Sequence, residues 1–224
     1  MIWNLLRFNL WATPTFSLKT DAMKKMLTLL GPGLFGVFVY QLNIIVLRQL
    51  ASFLGDGQIT YYYNADRLTQ FATGVFAVSI ATAALPELSR GKATFGNKAF
   101  FETLRFTLVI TSFVITPCAF ALLIFSMPLI SMLFMHGAYT LNDTVMTAQT
   151  LMAFAPSLLA VSLSRPLIQA FYAQQDTKTP VYVGVMTVLL NLSIGLILLR
   201  FQIMGLSMTL SISGIMQFFM LSYL

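Results

Sequence analysis

From Leu104 to Met135 the sequence reads LRFTLVITSFVITPCAFALLIFSMPLISMLFM, with Arg105 as its only charged side chain. A helix that crosses the hydrocarbon layer of a membrane needs about 20 mostly apolar residues, and this stretch exceeds that length. Six segments of the chain meet the criterion, so the sequence predicts an all-α, polytopic membrane bundle of six transmembrane helices. Their predicted bounds are Leu27–Leu54, Ile59–Leu85, Leu104–Met135, Val145–Tyr172, Val181–Leu199 and Met204–Leu224.

The composition of the whole chain agrees with a membrane bundle. Of its 224 residues, 58% are hydrophobic and 9% are charged, and the mean hydropathy is +0.82. Soluble domains carry about 25% charged residues, and disordered chains combine low hydrophobicity with high charge, so both classes are excluded. The single cysteine, Cys118, excludes a disulfide scaffold, and the single histidine, His136, excludes a zinc enzyme with an HExxH motif.

The sequence divides into a leading segment, residues 1–26, and a six-helix region, residues 27–224. The leading segment begins apolar and then becomes polar. It lacks the order of basic start, apolar centre and small-residue cleavage site that is typical of a secretory signal. We interpret it as an interfacial segment or the end of a preceding membrane helix, followed by a cytoplasmic linker.

The net charge of +6 is spread over short clusters between the apolar runs. A nucleic-acid surface would gather basic residues on one polar domain, so no nucleic-acid partner is predicted. Alternate connections carry nearly all the positive charge, and the opposite connections carry only Arg200. Because basic loops stay in the cytoplasm, we expect the basic side to be cytoplasmic. Its residues are Lys19, Lys24, Lys25, Arg90, Lys92, Lys98, Arg105 and Lys178.

Three ionisable side chains fall inside the first two predicted helices: Arg48, Asp66 and Arg67. With a rise of about 1.5 Å per residue, Arg48 lies roughly 12 Å and Arg67 roughly 15 Å from the turn near Asp56. The three side chains therefore lie at similar depth in a hydrocarbon layer about 30 Å thick. Charges at such depth are costly, which makes these residues candidates for function.

Two interpretations of this charge cluster remain open, and a third applies to Arg67 alone, which would lie shallower and extend to the headgroups if Tyr61–Tyr63 mark the interfacial aromatic belt. Asp66 could pair with Arg48 or Arg67 as a neutralised clamp between helices. Alternatively, two arginines and one aspartate leave one guanidinium unmatched in a water-filled cavity that receives an anion. A guanidinium suits that role because it binds phosphate through two parallel hydrogen bonds and stays charged. In either case we expect Arg48 to lie within salt-bridge reach of Asp66.

The remaining polar residues suggest simpler roles. We expect Arg165 to extend to the lipid headgroups rather than to contact a ligand. Asn191 should form an interhelical hydrogen bond, and Cys118 should act as a small apolar filler. His136 falls in a loop with no partner residues for catalysis or metal binding, and no cofactor is predicted.

Several motifs, in order along about residues 30–180, resemble those of the lipid II flippase family, called MurJ or MviN. Leu30-Gly31-Pro32 lies near the start of the first predicted helix and resembles the start of the family's seventh helix. The other motifs are YNADRL at residues 63–68, GVFAVSIATAALPELSR at 74–90, LFMHGAYT at 133–140 and AFYAQQDTKTP at 170–180.

The resemblance implies a fold of fourteen helices in two lobes, within the multidrug/oligosaccharidyl-lipid/polysaccharide exporter superfamily. The six helices here would be helices seven to twelve, so the chain looks like a second-lobe fragment whose partner is a missing N-terminal lobe. Family members move lipid-linked peptidoglycan precursor from the inner to the outer leaflet by alternating access. The resemblance thus implies a multi-pass protein of the bacterial inner membrane that serves cell-wall synthesis and contacts membrane lipids.

The resemblance also implies a site. In the family a cationic cavity receives the pyrophosphate of the lipid-linked substrate, and Arg67 matches the arginine that the second lobe contributes. We add Asp66 and Arg48 to Arg67 as predicted substrate-binding residues.

Some family members also hold sodium, through acidic or amide groups on helices seven, eleven and twelve. Here the place on helix seven holds Leu47, and helix eleven holds Asn191 with Gly195 one turn later. On helix twelve, Ser207 and Ser211 could supply oxygens. Without a carboxylate no metal site is predicted, and Asn191, Ser207 and Ser211 are the candidate ion ligands.

The same residues leave other functions open. The architecture could export another lipid-linked or amphipathic anion, or the chain could be a non-functional truncated half. An enzyme is not expected, because intramembrane aspartyl proteolysis needs two aspartates within the spans and only Asp66 qualifies. A serine protease would need a buried histidine, and His136 lies outside the predicted helices.

Overall fold

The computed structural model describes residues 21–55 and 57–224, with all their side chains except those of residues 21–30, 32, 33, 36, 37, 40 and 95. Most of the leading segment of residues 1–26, including Lys19, lies outside the described residues. The side chains of Lys24 and Lys25 lie outside them as well.

Helices make up nearly all of the described chain, and this part contains no strand. Inside a membrane each backbone group must be hydrogen-bonded within its own segment, which a helix achieves. In chain order the elements are α1 (Asp21–Ser52), α2 (Gln58–Ala72), a π-helical turn (Thr73–Val78), α3 (Ser79–Ile124), α4 (Ser126–Phe134), α5 (Leu141–Ala173), α6 (Lys178–Leu198), a 3-10 turn (Leu199–Phe201) and α7 (Gln202–Tyr223).

The connection expected at residues 86–103 is itself helical except at Gly96, where φ is 78° and ψ is −167°. Polar residues end the apolar run there, but they do not end a helix whose bonds are made by the backbone. Gly96 adopts a left-handed φ that glycine tolerates best, and the chain doubles back. The two arms approach closely, since a Cβ on Gly91 would lie 3.7 Å from the backbone of Ala99.

The apolar run of residues 104–135 forms two helices rather than the single predicted one. The break falls at Phe125, where φ is −100° and ψ is 16°. Pro128 explains it, because a proline ring clashes with the carbonyl four residues earlier, and residue 124 is where α3 ends. Pro117 is accommodated inside α3.

Four segments of the described chain are long and apolar enough to cross a membrane: Gln58–Thr94, Gly96–Ile124, Leu141–Ala173 and Lys178–Tyr223. The last one holds both α6 and α7, which pack against each other after the turn at Leu199–Phe201. The all-helical membrane fold is confirmed, with four candidate spans by this criterion where the sequence predicted six transmembrane helices.

The tight turn between α6 and α7 depends on Gly205. A Cβ at this position would lie 2.1 Å from the carbonyl oxygen of Leu198. No side chain fits at that distance, so glycine lets the start of α7 approach the end of α6.

The helix α5 lies at the centre of the bundle. In the most apolar stretch of this helix 61% of the residues are buried, whereas the corresponding stretches of the other three candidate spans are 22–33% buried. It packs against α2, α3, α4 and α7, and the Phe154 ring meets the Tyr62 ring edge-on with centroids 5.2 Å apart. The largest fully buried side chains around it include Leu47, Leu151, Phe154, Leu158 and Leu206.

The bundle has two ends, named here for the connections they carry. The outer end holds the turn before α2, the loop before α5 and the turn between α6 and α7. The inner end holds the break at Gly96 and the loop between α5 and α6. At the inner end the Lys92 ammonium donates to the Gln174 side chain at 2.6 Å, which joins these two connections.

Candidate functional site

Two arginines lie on the ring of one tyrosine in the outer half of the bundle. The guanidinium carbon of Arg48 is 4.7 Å from the Tyr63 ring centroid, and that of Arg67 is also 4.7 Å away. Tyr63 and Arg67 are neighbours on one face of α2 because they are four residues apart. Arg48 reaches the ring from α1. We call these three residues the arginine–tyrosine stack.

The stack positions the two charges without neutralising them. A guanidinium over an aromatic face gains about 0.5–2 kcal/mol, but the ring carries no net charge. Arg48 is half-buried and its Nε is buried without a hydrogen-bond partner, whereas Arg67 is exposed. Among the described residues neither arginine forms a salt bridge with a carboxylate. The arrangement can therefore accept an anion.

The side chain of Asp66 points in a different direction from that of its neighbour Arg67. Its Oδ2 accepts a hydrogen bond from Gln70 Nε2 at 2.6 Å, one turn along α2. Arg48 is close enough to interact with Asp66 electrostatically, yet the salt bridge predicted between them is not formed. Successive helical residues point about 100° apart, so the Tyr63 ring draws Arg48 to the face of Arg67 and away from Asp66.

A shallow pocket of about 310 Å³ lies beside the exposed arginine. It is lined by Ile59, Thr60, Tyr63, Asn64 and Arg67. The hydroxyl of Thr60 and the amide of Asn64 add neutral hydrogen-bonding groups to the guanidinium. The structure thus places a shallow surface pocket beside Arg67, and the water-filled cavity suggested by the sequence stays a prediction.

A second and larger cavity, of about 560 Å³, lies between α1, α2, α5, α6 and α7. We call it the interhelical cavity. Asp66 and Arg165 line it, but Arg67 does not. The structure therefore brings Arg48 and Arg67 together in the stack and leaves Asp66 on the wall of another cavity.

The predicted interhelical hydrogen bond of Asn191 is confirmed. Asn191 Nδ2 donates to Asn43 Oδ1 on α1 at 2.9 Å, and the Ser213 hydroxyl on α7 donates to Asn191 Oδ1. Sequence analysis missed Asn43 and Ser213, although Asn43 lies one turn before Leu47 on the same face of α1. Together these residues tie three helices.

The three candidate ion ligands do not converge. The Ser207 hydroxyl donates to the Ile203 carbonyl at 3.0 Å, and the Ser211 hydroxyl donates to the Ala153 carbonyl at 2.6 Å. Both hydroxyls thus bond to backbone rather than pointing at Asn191. In the described part of the chain no group of three His, Cys, Asp or Glu side chains could hold a metal ion.

Arg165 does not behave as predicted. It is half-buried on the wall of the interhelical cavity, and its Nε is buried without a hydrogen-bond partner. The reason is that α5 is the central helix, so this face meets other helices instead of lipid.

Cys118 packs against the main core as a filler, and His136 is exposed in its loop.

At the outer end, a contact that the sequence analysis missed joins α2 to α5. The Tyr61 hydroxyl donates to Asp143 Oδ1. Asp143 also accepts from the Thr140 backbone and side chain at 2.7 Å each, while Thr140 Oγ1 accepts from the Asp143 backbone. This reciprocal cap fixes where α5 begins, and Tyr61 fastens α2 to it. The pattern Thr-x-x-Asp at residues 140–143 was the available signal.

At the inner end, Asp176 caps α6. It accepts from the backbone N–H of Lys178 at 3.0 Å, and from the backbone N–H and hydroxyl of Thr179 at 3.1 and 2.6 Å. Burial acts to raise the pKa of Asp176, but the hydrogen bonds from Thr179 and Lys178 and the charge of Lys178 outweigh it. The pKa of Asp176 is therefore held below its usual range. The DTKTP motif thus has a structural role as a helix cap.

The fold is that of the membrane transporters of the MOP superfamily. A MOP superfamily transporter from Pyrococcus furiosus matches with a TM-score of 0.79 at 12% identity. An outward-facing multidrug-resistance transporter of the MATE family matches with a TM-score of 0.79 at 13% identity. Each match covers 95% of this chain and 47% of the other, and at such identity the likeness shows the fold alone.

The lipid II flippase MurJ family model matches residues 1–224, and the chain belongs to this family. The resemblance of the motifs is thereby confirmed. The solved inward closed conformation of lipid II flippase MurJ matches with a TM-score of 0.80 at 26% identity, over 99% of this chain and 47% of that one.

The curated relatives are longer than this chain. The probable lipid II flippase MurJ of Vibrio cholerae is 33% identical over 211 residues, which are 94% of this chain and 40% of the relative. The corresponding protein of Haemophilus influenzae is 31% identical over 214 residues, with 93% and 42% covered. The chain thus spans about two fifths of the length of these relatives.

Proposed function

We propose that this chain forms the second lobe of a flippase that moves lipid-linked peptidoglycan precursor, lipid II, from the inner to the outer leaflet. In this proposal the helices make six crossings of the bacterial inner membrane, with α6 and α7 as separate crossings and the inner end in the cytoplasm. A first lobe supplies the opposite wall of the transport pathway. Family membership and the basic residues of the inner end support this arrangement.

The observation that carries the proposal is the arginine–tyrosine stack. Two guanidiniums share one ring, and neither has a carboxylate partner among the described residues. A diphosphate offers several anionic oxygens and matches the planar donor fork of arginine. Arg67, which is exposed, would make the direct contact, and Arg48 would add a second positive charge.

The stack would also allow alternating access. A bound substrate moves a transporter between states only if it binds one state more tightly than the other. Rocking of one lobe against the other would change the distance between the stack and the opposite wall. Asp66, one residue from Arg67, would orient the diphosphate or pair with an arginine in the state without substrate.

The experiment uses the full-length protein in cells depleted of their own flippase. We expect Arg67→Ala to abolish growth and Arg67→Lys to restore it only in part, because the compact ammonium of lysine lacks the planar fork. Arg200→Ala, an exposed arginine in the turn after α6, serves as the control and should support growth. Normal growth of Arg67→Ala at equal expression would remove Arg67 from the mechanism.

A further inference from the structure

The inner part of the interhelical cavity carries polar groups that the proposed diphosphate site does not use. Arg165, Gln169 and Tyr172 lie on its wall and share one face of α5, because they are spaced by four and three residues. Arg165 Nε and Gln169 Oε1 are both buried, and neither has a hydrogen-bond partner among the residues that the structure describes. One donor and one acceptor within a single helical turn therefore lack partners in this part of the chain.

Among the described residues no carboxylate forms a salt bridge with Arg165. The other charged side chain among the described residues that line the cavity is Asp66, which accepts a hydrogen bond from Gln70 instead. The charge of Arg165 is therefore not neutralised within the described part of the chain.

The cavity has the size and position to receive a ligand from the inner side. Its volume of about 560 Å³ falls within the range of about 300–1,000 Å³ that is typical of ligand pockets. Tyr172, Pro180 and Val181 line it beside the α5–α6 loop. Lys178, which is exposed, belongs to the same loop region. An anion would thus approach from the more basic end.

We propose that Arg165 and Gln169 form a second anion site, which binds a phosphate ester carrying a free hydroxyl group. The phosphate oxygens accept from the Arg165 guanidinium, and the hydroxyl donates to Gln169 Oε1. The headgroup of a membrane lipid such as a phosphatidylglycerol has this chemistry, and so does a soluble glycerol phosphate. The site is separate from the arginine–tyrosine stack and does not depend on the proposed flippase activity, because Arg67 does not line the cavity.

The test measures binding to the purified full-length protein in detergent, through the rise in unfolding temperature on titration. The probes are short-chain phosphatidylglycerol, short-chain phosphatidylmethanol, which lacks the free hydroxyl, and glycerol phosphate. All measurements are made in an Arg67→Gln background, so that an anion bound at the stack does not contribute. We expect Arg165→Gln to weaken binding about tenfold or more.

Two further variants keep the test decisive if Arg165→Gln fails to fold. Gln169→Glu keeps the shape of the side chain but places a carboxylate one turn from Arg165, so it should also abolish binding. Gln169→Leu should weaken phosphatidylglycerol and leave phosphatidylmethanol unchanged. Arg90→Gln, an exposed arginine at the inner end, is the control and should bind as the parent does.

The outcomes distinguish a membrane lipid from a soluble ester as the ligand, and they also show whether the proposed site exists. Binding of phosphatidylglycerol but not of glycerol phosphate, with the expected dependence on Arg165, assigns the site to a membrane lipid. Equal dependence with glycerol phosphate assigns it to a soluble ester. The proposal is overturned if no probe binds, or if either Gln169→Glu or a folded Arg165→Gln binds as tightly as the parent. Growth of cells carrying Arg67 variants tests the proposed flippase separately.

Discussion

Tyr61 and Tyr63 are two residues apart on α2, yet the structure uses them in opposite ways. The Tyr61 hydroxyl is hydrogen-bonded to Asp143, which is itself part of the cap of α5. Tyr63 uses its ring face, over which two arginines lie without a carboxylate partner. In the first region the polar groups are hydrogen-bonded to one another, and these bonds hold α2 and α5 together. In the second region the positive charges are not neutralised within the described residues, so an anionic ligand can bind to them.

The same contrast separates Asn191 from Arg165 inside the interhelical cavity. The side chains of Asn43 and Ser213 both form hydrogen bonds with Asn191. By contrast, Arg165 Nε and Gln169 Oε1 have no hydrogen-bond partner in the described part of the chain. Substitutions in the satisfied regions should therefore lower stability. Substitutions in the unmatched regions should lower ligand binding while the fold is retained.

The largest effect is expected at Asn191, the centre of the satisfied network. Asn191→Leu removes the partner of Asn43 Oδ1 and leaves the Ser213 hydroxyl with only the Leu210 carbonyl, at 3.3 Å. A polar group left without its partner costs about 1–3 kcal/mol, so we expect the free energy of unfolding to fall by about that amount. Thermal or denaturant unfolding of the full-length protein measures it, with Ser193→Ala, an exposed position on the same helix, as the control. A change no larger than that of the control would contradict the assigned network.

Tyr63→Leu should have the next largest effect, which we expect on ligand binding. Loss of the ring removes two cation–π contacts of about 0.5–2 kcal/mol each, so the arginines are no longer held together and the fold also loses some stability. We expect inorganic pyrophosphate to bind about tenfold more weakly per folded molecule. Tyr63→Phe keeps the ring and should bind as the parent does. Equal binding by Tyr63→Leu would mean that the ring does not position the arginines.

Tyr61→Phe provides the matched substitution at the satisfied tyrosine. Removing the hydroxyl deletes the hydrogen bond to Asp143, and we expect the free energy of unfolding to fall by about 1–2 kcal/mol. Pyrophosphate binding per folded molecule should stay unchanged. Since Tyr63→Phe makes the same chemical change two residues away, the pair isolates the difference between the regions. Equal losses of stability in Tyr61→Phe and Tyr63→Phe would contradict the structural role assigned to the Tyr61 hydroxyl.

The smallest effect concerns Asp176, the cap of α6. Its pKa is lowered in the folded protein, so its stabilising effect is present above the ordinary carboxyl pKa of about 4 and is lost as the pH falls through the lowered value. Asp176→Ala should cost about 1 kcal/mol at neutral pH, as the loss of a cap does. Unfolding measured between pH 7 and pH 3 should show the difference from the parent shrinking toward low pH. A difference that grows on acidification would be inconsistent with the cap.

Hydropathy predicted the helical membrane fold because long apolar runs have few alternatives in a bilayer. It placed helix ends poorly where polar residues continue a helix, as between Leu85 and Gly96. Pro128 was visible in the sequence, but its effect on the carbonyl four residues earlier was not used. Hydropathy therefore marks where the chain leaves the membrane, whereas backbone hydrogen bonding decides where a helix ends.

The sequence allowed the relative position of the two arginines to be predicted, but not the contacts that they make. Depth follows from counting residues, so Arg48 and Arg67 were correctly placed at one level. The direction of a side chain around the helix axis depends on neighbours from other helices, so the Arg48–Asp66 pairing was wrong. Asn43 and Asn191 are 148 residues apart in the chain, and no local pattern connects them.

The close approach at Gly205 has a consequence for the natural history of the chain. A copy that no longer served any purpose would accumulate substitutions at Gly205 and at its exposed neighbour Met204 equally often. A copy still under selection would keep the glycine while the methionine drifts. Counting both positions among sister strains would thus distinguish a working protein from a decaying gene, without any biochemical assay.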